Sequence, residues 1–144
     1  MRKHCPWTNF GNLTHGNEHP FTDLATDIAN GTLPQLAFII PNQCDNSHDC
    51  PASTGDTWLS AHVPAMLGAL GPNGLLILTW DEGNGLDFNH IVTVFHGPMI
   101  QPGEYAGFIN HYNVLRTVED LYGLPHDAMT KLTGGVPCIV FQEF

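Results

Sequence analysis

This chain has little charge and very little positive charge. Charged residues make up 12% of its 144 positions, against about 25% in an ordinary globular protein. Four Lys/Arg face fourteen Asp/Glu, for a net charge of −10. Such a surface repels phosphate backbones and anionic lipid, which excludes unaided nucleic-acid binding. No apolar run approaches the ~20 residues needed to span a membrane. The first five residues have two basic side chains but no hydrophobic stretch after them, so no signal peptide is visible. No glycine-flanked serine elbow, no C-x-x-C pair, no repeat and no low-complexity tract occurs. A length of 144 residues suits one domain.

The polar character comes instead from Asn, Thr, Gly and nine histidines. Its densest expression is the segment 75–98, LLILTWDEGNGLDFNHIVTVFHGP. An apolar run, Leu75–Trp80, ends on Asp81 and Glu82. A glycine-bearing loop carries Asp87, and His90 precedes a β-rich run, Ile91–Phe95. Carboxylates where a buried strand emerges are placed to hold a hard cation or to move protons. Adjacent strand residues point to opposite faces, so both acids reach one ion only if the backbone turns there, which Gly83 permits. A solvated loop end is the alternative reading of the pair. His90 could hold a phosphoryl oxygen, act as an acid or bind metal, or simply bond to loop backbone.

A second polar cluster is Asp45-Asn46-Ser47-His48-Asp49, bracketed by Cys44 and Cys50. Asp49 is placed to orient His48; a surface loop of Asx turns is the alternative. Cys44 and Cys50 are read as a disulfide or as free thiols, with a Cys44/His48/Cys50 zinc site as a third option that lacks a fourth ligand. Cys5 and Cys138 lie near opposite ends. His4 and His111 are weaker candidates.

The periodicity predicts a short helix over Phe21–Asn30, with Thr22 as its cap and Gly31 as its stop. It predicts a strand covered on both faces at Leu36–Ile40, and a helix over Asp56–Leu70 kinked at Pro64. Leu59, Val63, Met66, Leu67 and Leu70 form the apolar stripe of that helix. Strands follow at Leu75–Trp80 and Ile91–Phe95. The ten residues from Asp81 to His90 are too few for a parallel crossover, so direct pairing would be antiparallel. A helix over Asn110–Tyr122, capped by Asn110 and ended by Gly123, and a last strand at Cys138–Phe141 complete the pattern. Alternating strands and helices argue for an α/β sandwich.

Seven segments in order resemble a known family: KHCPWTNF at 3–10 (with Cys5 where an Asn is usual), LPQLAFIIPN at 33–42, S-H-D at 47–49, GDTWL at 55–59, ILTWDEG at 77–83, NHIVTVFHGP at 89–98 and NHYNVLRTVEDLYGLP at 110–125. Together they resemble the carboxy-terminal part of the phosphoesterase family of bacterial and fungal acid phosphatases and non-haemolytic phospholipases C. The resemblance implies an alkaline-phosphatase-like α/β/α sandwich with a mixed, mostly parallel sheet. It implies hydrolysis of phosphate esters, small molecules or phospholipid head groups, with a divalent metal cation. It assigns Asp81 and Glu82 as metal ligands, and His48, His90 and His4 as catalytic histidines.

The family's Glu-Asn metal motif and hydroxyl nucleophile have no counterpart in these residues. The expectation is therefore a truncated phosphoesterase domain over 1–144 that turns over weakly or not at all by itself, with a sheet edge open to self-association. The alternative is a non-catalytic metal-binding or interaction domain of the same fold. A sulfatase is a third reading, against which the missing Cys/Ser-x-Pro-x-Arg motif counts. Full-length relatives are expected to be extracellular or periplasmic.

Overall fold

A computed structural model describes residues 4–13, 16–127, 129 and 131. The expected strand at Cys138–Phe141 lies outside them. The chain divides into two compact units, residues 1–71 and 72–144.

In the first unit, a 3-10 turn at Phe21–Asp23 leads into helix α1, Leu24–Asn30, which Gly31 ends in the left-handed conformation, φ 65°. The stop is the predicted one, but the cap is not. Thr22 lies inside the 3-10 turn, and Pro20 precedes it in extended backbone. Leu36–Ile40 forms no strand, and Leu36 and Phe38 are exposed. A strand needs a neighbour for its N–H and C=O groups. No other described segment pairs with this run, so its apolar content alone does not make it one.

Helix α2, Ala52–Gly68, starts four residues before the predicted Asp56 and continues through Pro64. Asp56 is therefore in the second turn, away from the positive helix end. Met66 is the one buried apolar side chain among the described residues; Leu59, Val63, Leu67 and Leu70 are half-buried along the same stripe. Gly55 is buried because α2 lies directly on the 45–47 loop. A Cβ there would overlap Ser47 Oγ and sit 3.0 Å from the Asp45 carbonyl. Aromatic contacts supplement this thin core. Phe21 meets Trp58 with centroids 5.2 Å apart and His62 edge-on at 4.9 Å.

In the second unit, β1, Leu76–Thr79, pairs antiparallel with β2, Thr93–His96, as the short link requires. Leu76 faces His96 and Thr79 faces Thr93, whose hydroxyls hydrogen-bond at 3.0 Å. Thr93 and Phe95 turn inward while Val94 and His96 are exposed, the alternation of a sheet with one covered face. Leu75, Phe95, Met99, Ile100 and Ile109 are among the half-buried apolar residues here. The α/β class holds. Among the described residues the sheet is two-stranded and antiparallel.

Helix α3, His111–Tyr122, is built by its caps. Asn110 Oδ1 accepts from the Tyr112 and Asn113 amides, and Asn113 Oδ1 accepts from the Asn110 amide at 2.8 Å. Gly123, φ 61°, ends it. Thr117 is fully buried, with Val114, Val118 and Leu121 half-buried around that face. Asn110→Ala removes the side-chain oxygen that accepts from the Tyr112 and Asn113 amides, keeps the bond from the residue-110 amide to Asn113, and is expected to cost about 1 kcal/mol. Urea denaturation of the two proteins measures this, and an unchanged midpoint would refute the cap's role.

Asp120, in the last turn, accepts from Arg116 Nε at 2.9 and 3.0 Å and meets His126 Nε2 at 2.7 Å. The Arg116 hydrogen bond, aided by that of His126 and opposed by burial, holds the Asp120 carboxyl below its ordinary value of 3.8. The folded state thus binds this proton less readily than the unfolded chain. The stabilisation is complete above the unfolded value and fades as pH falls through the folded one. Asp120 is partly exposed, so the contribution is about 0.5–1 kcal/mol. Asp120→Asn should lower stability by that amount at neutral pH, and the difference should close below about pH 4. Thermal melts across pH would show a constant gap if the carboxylate were idle.

Candidate functional site

The residues picked out by chemistry fall on two loops, one in each unit. The first loop, 42–50, is wound tightly by its own side chains. Asn42 Oδ1 accepts from the Cys44 and Asp45 amides at 2.9 and 3.0 Å, and Asn42 Nδ2 donates to Asp45 at 2.6 Å. The Ser47 amide donates to the Cys44 carbonyl at 3.1 Å and the Asp49 amide to the Gln43 carbonyl at 2.8 Å. Ser47 adopts φ 69°, a left-handed conformation uncommon for serine. Cys44 and Cys50 form a disulfide across this loop. With both sulfurs joined, the thiol and zinc alternatives drop out.

The product of this winding is a braced histidine. His48 receives its position from its amide, which donates to Asn46 Oδ1 at 2.9 Å, and from its ring, whose Nδ1 lies 2.7 Å from Asp49 Oδ1. A carboxylate on Nδ1 fixes the tautomer and leaves Nε2 as the nitrogen available to a substrate. The His48 side chain is 43% exposed, so it is accessible. His4, half-buried ahead of the 3-10 turn Pro6–Asn9, brings its ring centroid to 6.3 Å from that of His48. Two of the three predicted catalytic histidines are therefore neighbours, although 44 positions separate them in sequence.

The second loop runs from Asp81 to His90 between β1 and β2. Its ends are pinched together. The Gly83 amide donates to Asn89 Oδ1 at 2.8 Å, and a Cβ on Gly83 would lie 2.9 Å from the His90 carbonyl. The His90 amide donates to the Asp87 carbonyl at 2.8 Å. Phe88 and Asn89 are both left-handed, φ 51° and 60°. Such backbone at a bulky residue is an outlier and persists only where the surroundings over-determine it. Asp81, Glu82 and His90 are all exposed.

Sequence reading ranked His111 low and gave Asn89 no role. The structure uses both to hold this loop. His111 Nε2, from the first turn of α3, donates to the Asp81 carbonyl at 2.8 Å. The available signal was the Asn at 89, a residue tolerant of left-handed backbone, directly before His90.

Among the described residues, no group of three or more His, Cys, Asp and Glu is arranged to hold a metal ion. Asp81 and Glu82 provide two carboxylates, whereas a hard divalent ion takes about six oxygen donors. By themselves these residues do not complete a cation site.

A sequence model of the phosphoesterase family matches residues 1–125. The chain is 43% identical over 125 residues to a phosphatidylinositol-3-phosphatase of Mycobacterium tuberculosis, a match covering 86% of this chain and 42% of that protein. It is 33% identical over 138 residues to an acid phosphatase of Aspergillus fumigatus, covering 87% of this chain and 31% of that one. It is 31% identical over 139 residues to a probable acid phosphatase of Kluyveromyces lactis, covering 88% and 33%. The chain thus spans about a third to two-fifths of the length of these relatives. No solved structure matches it.

Proposed function

The chain belongs to the phosphoesterase family, and we propose that it takes part in hydrolysing phosphate esters, with His48 as the group that handles a proton. The observation that carries this reading is the Asp49–His48 pair at 2.7 Å with the His4 ring beside it. With Nδ1 engaged by Asp49, a protonated His48 donates from Nε2 to a phosphoryl or leaving-group oxygen, and a neutral one accepts there. His4 and His90 are each candidates for holding a phosphoryl oxygen by a hydrogen bond.

Asp81 and Glu82 furnish part of a divalent-cation site. A bound cation would offset the negative charge that this acidic chain sets against its substrate. Substrates are phosphate monoesters like those implied by the relatives' names, or a phosphoinositide head group as for the mycobacterial protein; a phospholipase C type of cleavage is the further option within the family. The complete sandwich is an α/β/α fold with a mostly parallel sheet. An edge of that sheet left open would favour self-association. A disulfide suits an extracellular or periplasmic setting.

A second reading is a non-catalytic metal-binding or interaction domain, in which the exposed pair Asp81 and Glu82 serves binding alone. Calorimetric titration with divalent cations, paired with an aryl phosphate assay, separates the two. Cation binding lost in Asp81→Asn together with hydrolysis supports the phosphoesterase reading. Binding without hydrolysis supports the second, and no binding at all overturns the metal assignment in both.

A further inference from the structure

We infer that the Cys44–Cys50 disulfide is the frame that positions the His48–Asp49 pair, and that its reduction by a dithiol loosens this loop locally and so makes the His48 site redox-sensitive. The functional consequence rests on the reading of His48 proposed above; the structural one does not.

Three observations point there. The disulfide joins residues six apart and encloses Asp45–Asp49, so His48 and its carboxylate partner lie wholly inside the covalent ring. Ser47, next to His48, is held left-handed at φ 69°. Strained backbone of that kind relaxes when its constraint goes, and within this ring the constraint is one covalent bond plus a few part-exposed hydrogen bonds. Finally, the loop meets α2 by contact at Gly55, with Asp45 and Ser47 against it, while the turns of α2 are satisfied within the helix itself. Opening the ring therefore frees the loop without dismantling the helix.

Cys44 and Cys50 are half-buried, within reach of a small thiolate. A dithiol thiolate attacks one of the two sulfurs and expels the other as a cysteine thiolate. The reductant's second thiol then displaces the protein from the mixed disulfide. Two cysteine thiols and one oxidised dithiol result, with both electrons and both protons supplied by the dithiol.

Amide hydrogen exchange on the full chain tests this, comparing the oxidised protein with dithiothreitol-treated protein and with the Cys44→Ser/Cys50→Ser double variant. The amides of residues 46–49 should exchange at least tenfold faster in both altered forms, with the amides of α2 beyond its first turn and of α3 changed by less than twofold. Unchanged exchange at 46–49 overturns the inference. So does acceleration throughout α2, which would make the bond a staple of the whole unit. In the phosphate-ester assay, loosening should lower kcat with KM held, and the double variant should be indifferent to dithiothreitol. A loosened loop with no effect on measurable hydrolysis would retain the structural frame and reject the role given to His48.

Discussion

If the proposed role of His48 holds, replacing it with glutamine is expected to lower kcat/KM for a phosphate ester by about 10²–10⁴-fold, the usual worth of a positioned proton donor or acceptor. Glutamine keeps the length and a polar end but cannot exchange a proton near neutral pH. The effect should fall chiefly on kcat, because the lost interaction belongs to the transition state rather than to ground-state binding. Asp49→Asn leaves the imidazole in place but weakens its brace, so its loss should be smaller, about tenfold. Denaturation curves of both variants should overlay the parent, since His48 and Asp49 are exposed. Retention of more than a tenth of the parent activity in His48→Gln would remove His48 from the chemistry.

Gly97→Ala should be the most destabilising small substitution in the second unit. Gly97 follows β2, and a Cβ there would overlap the Gly74 carbonyl oxygen and stand 3.4 Å from Leu75 Cα. The obstructing atoms are backbone, so no rotamer change relieves the clash. One of the two segments must shift, and the register that sets Leu76 opposite His96 shifts with it. Overpacking of this kind costs about 1–3 kcal/mol. Gly107→Ala is the matched control, because its Cβ would meet open space. If both variants unfold at the parent's denaturant midpoint, Gly97 is not a packing point.

Whether a feature was legible depended on how far its cause lay along the chain. Asn110 and Gly123 act within one turn of α3, and both were readable from residue type alone. The antiparallel β1–β2 pair followed from counting the ten residues between the strands. The start of α2 lies four residues before Asp56, and Gly55 within it is the close contact that lets the helix rest on the 45–47 loop, which residue type alone does not show. Leu36–Ile40 has the composition of a strand, but strand identity belongs to a pairing, and no other described segment supplies a partner.

The candidate site divides the same way. The His48–Asp49 pair is adjacent in sequence and was anticipated. The approach of His4 to His48 is long-range, and only the family likeness hinted at it. The pinning of Asp81 by His111 spans 30 positions and left no trace in composition or period.

The clasp between Gly83 and Asn89 means that the acids at one end of their loop and the histidine at the other do not depend on what joins them. Residues 84–86 could be lengthened, shortened or recoded while Asp81, Glu82 and His90 kept their places, since the Asp87 carbonyl that accepts from the His90 amide would stay. That makes the tip a practical insertion point for a fluorescent reporter that leaves those three side chains where they are.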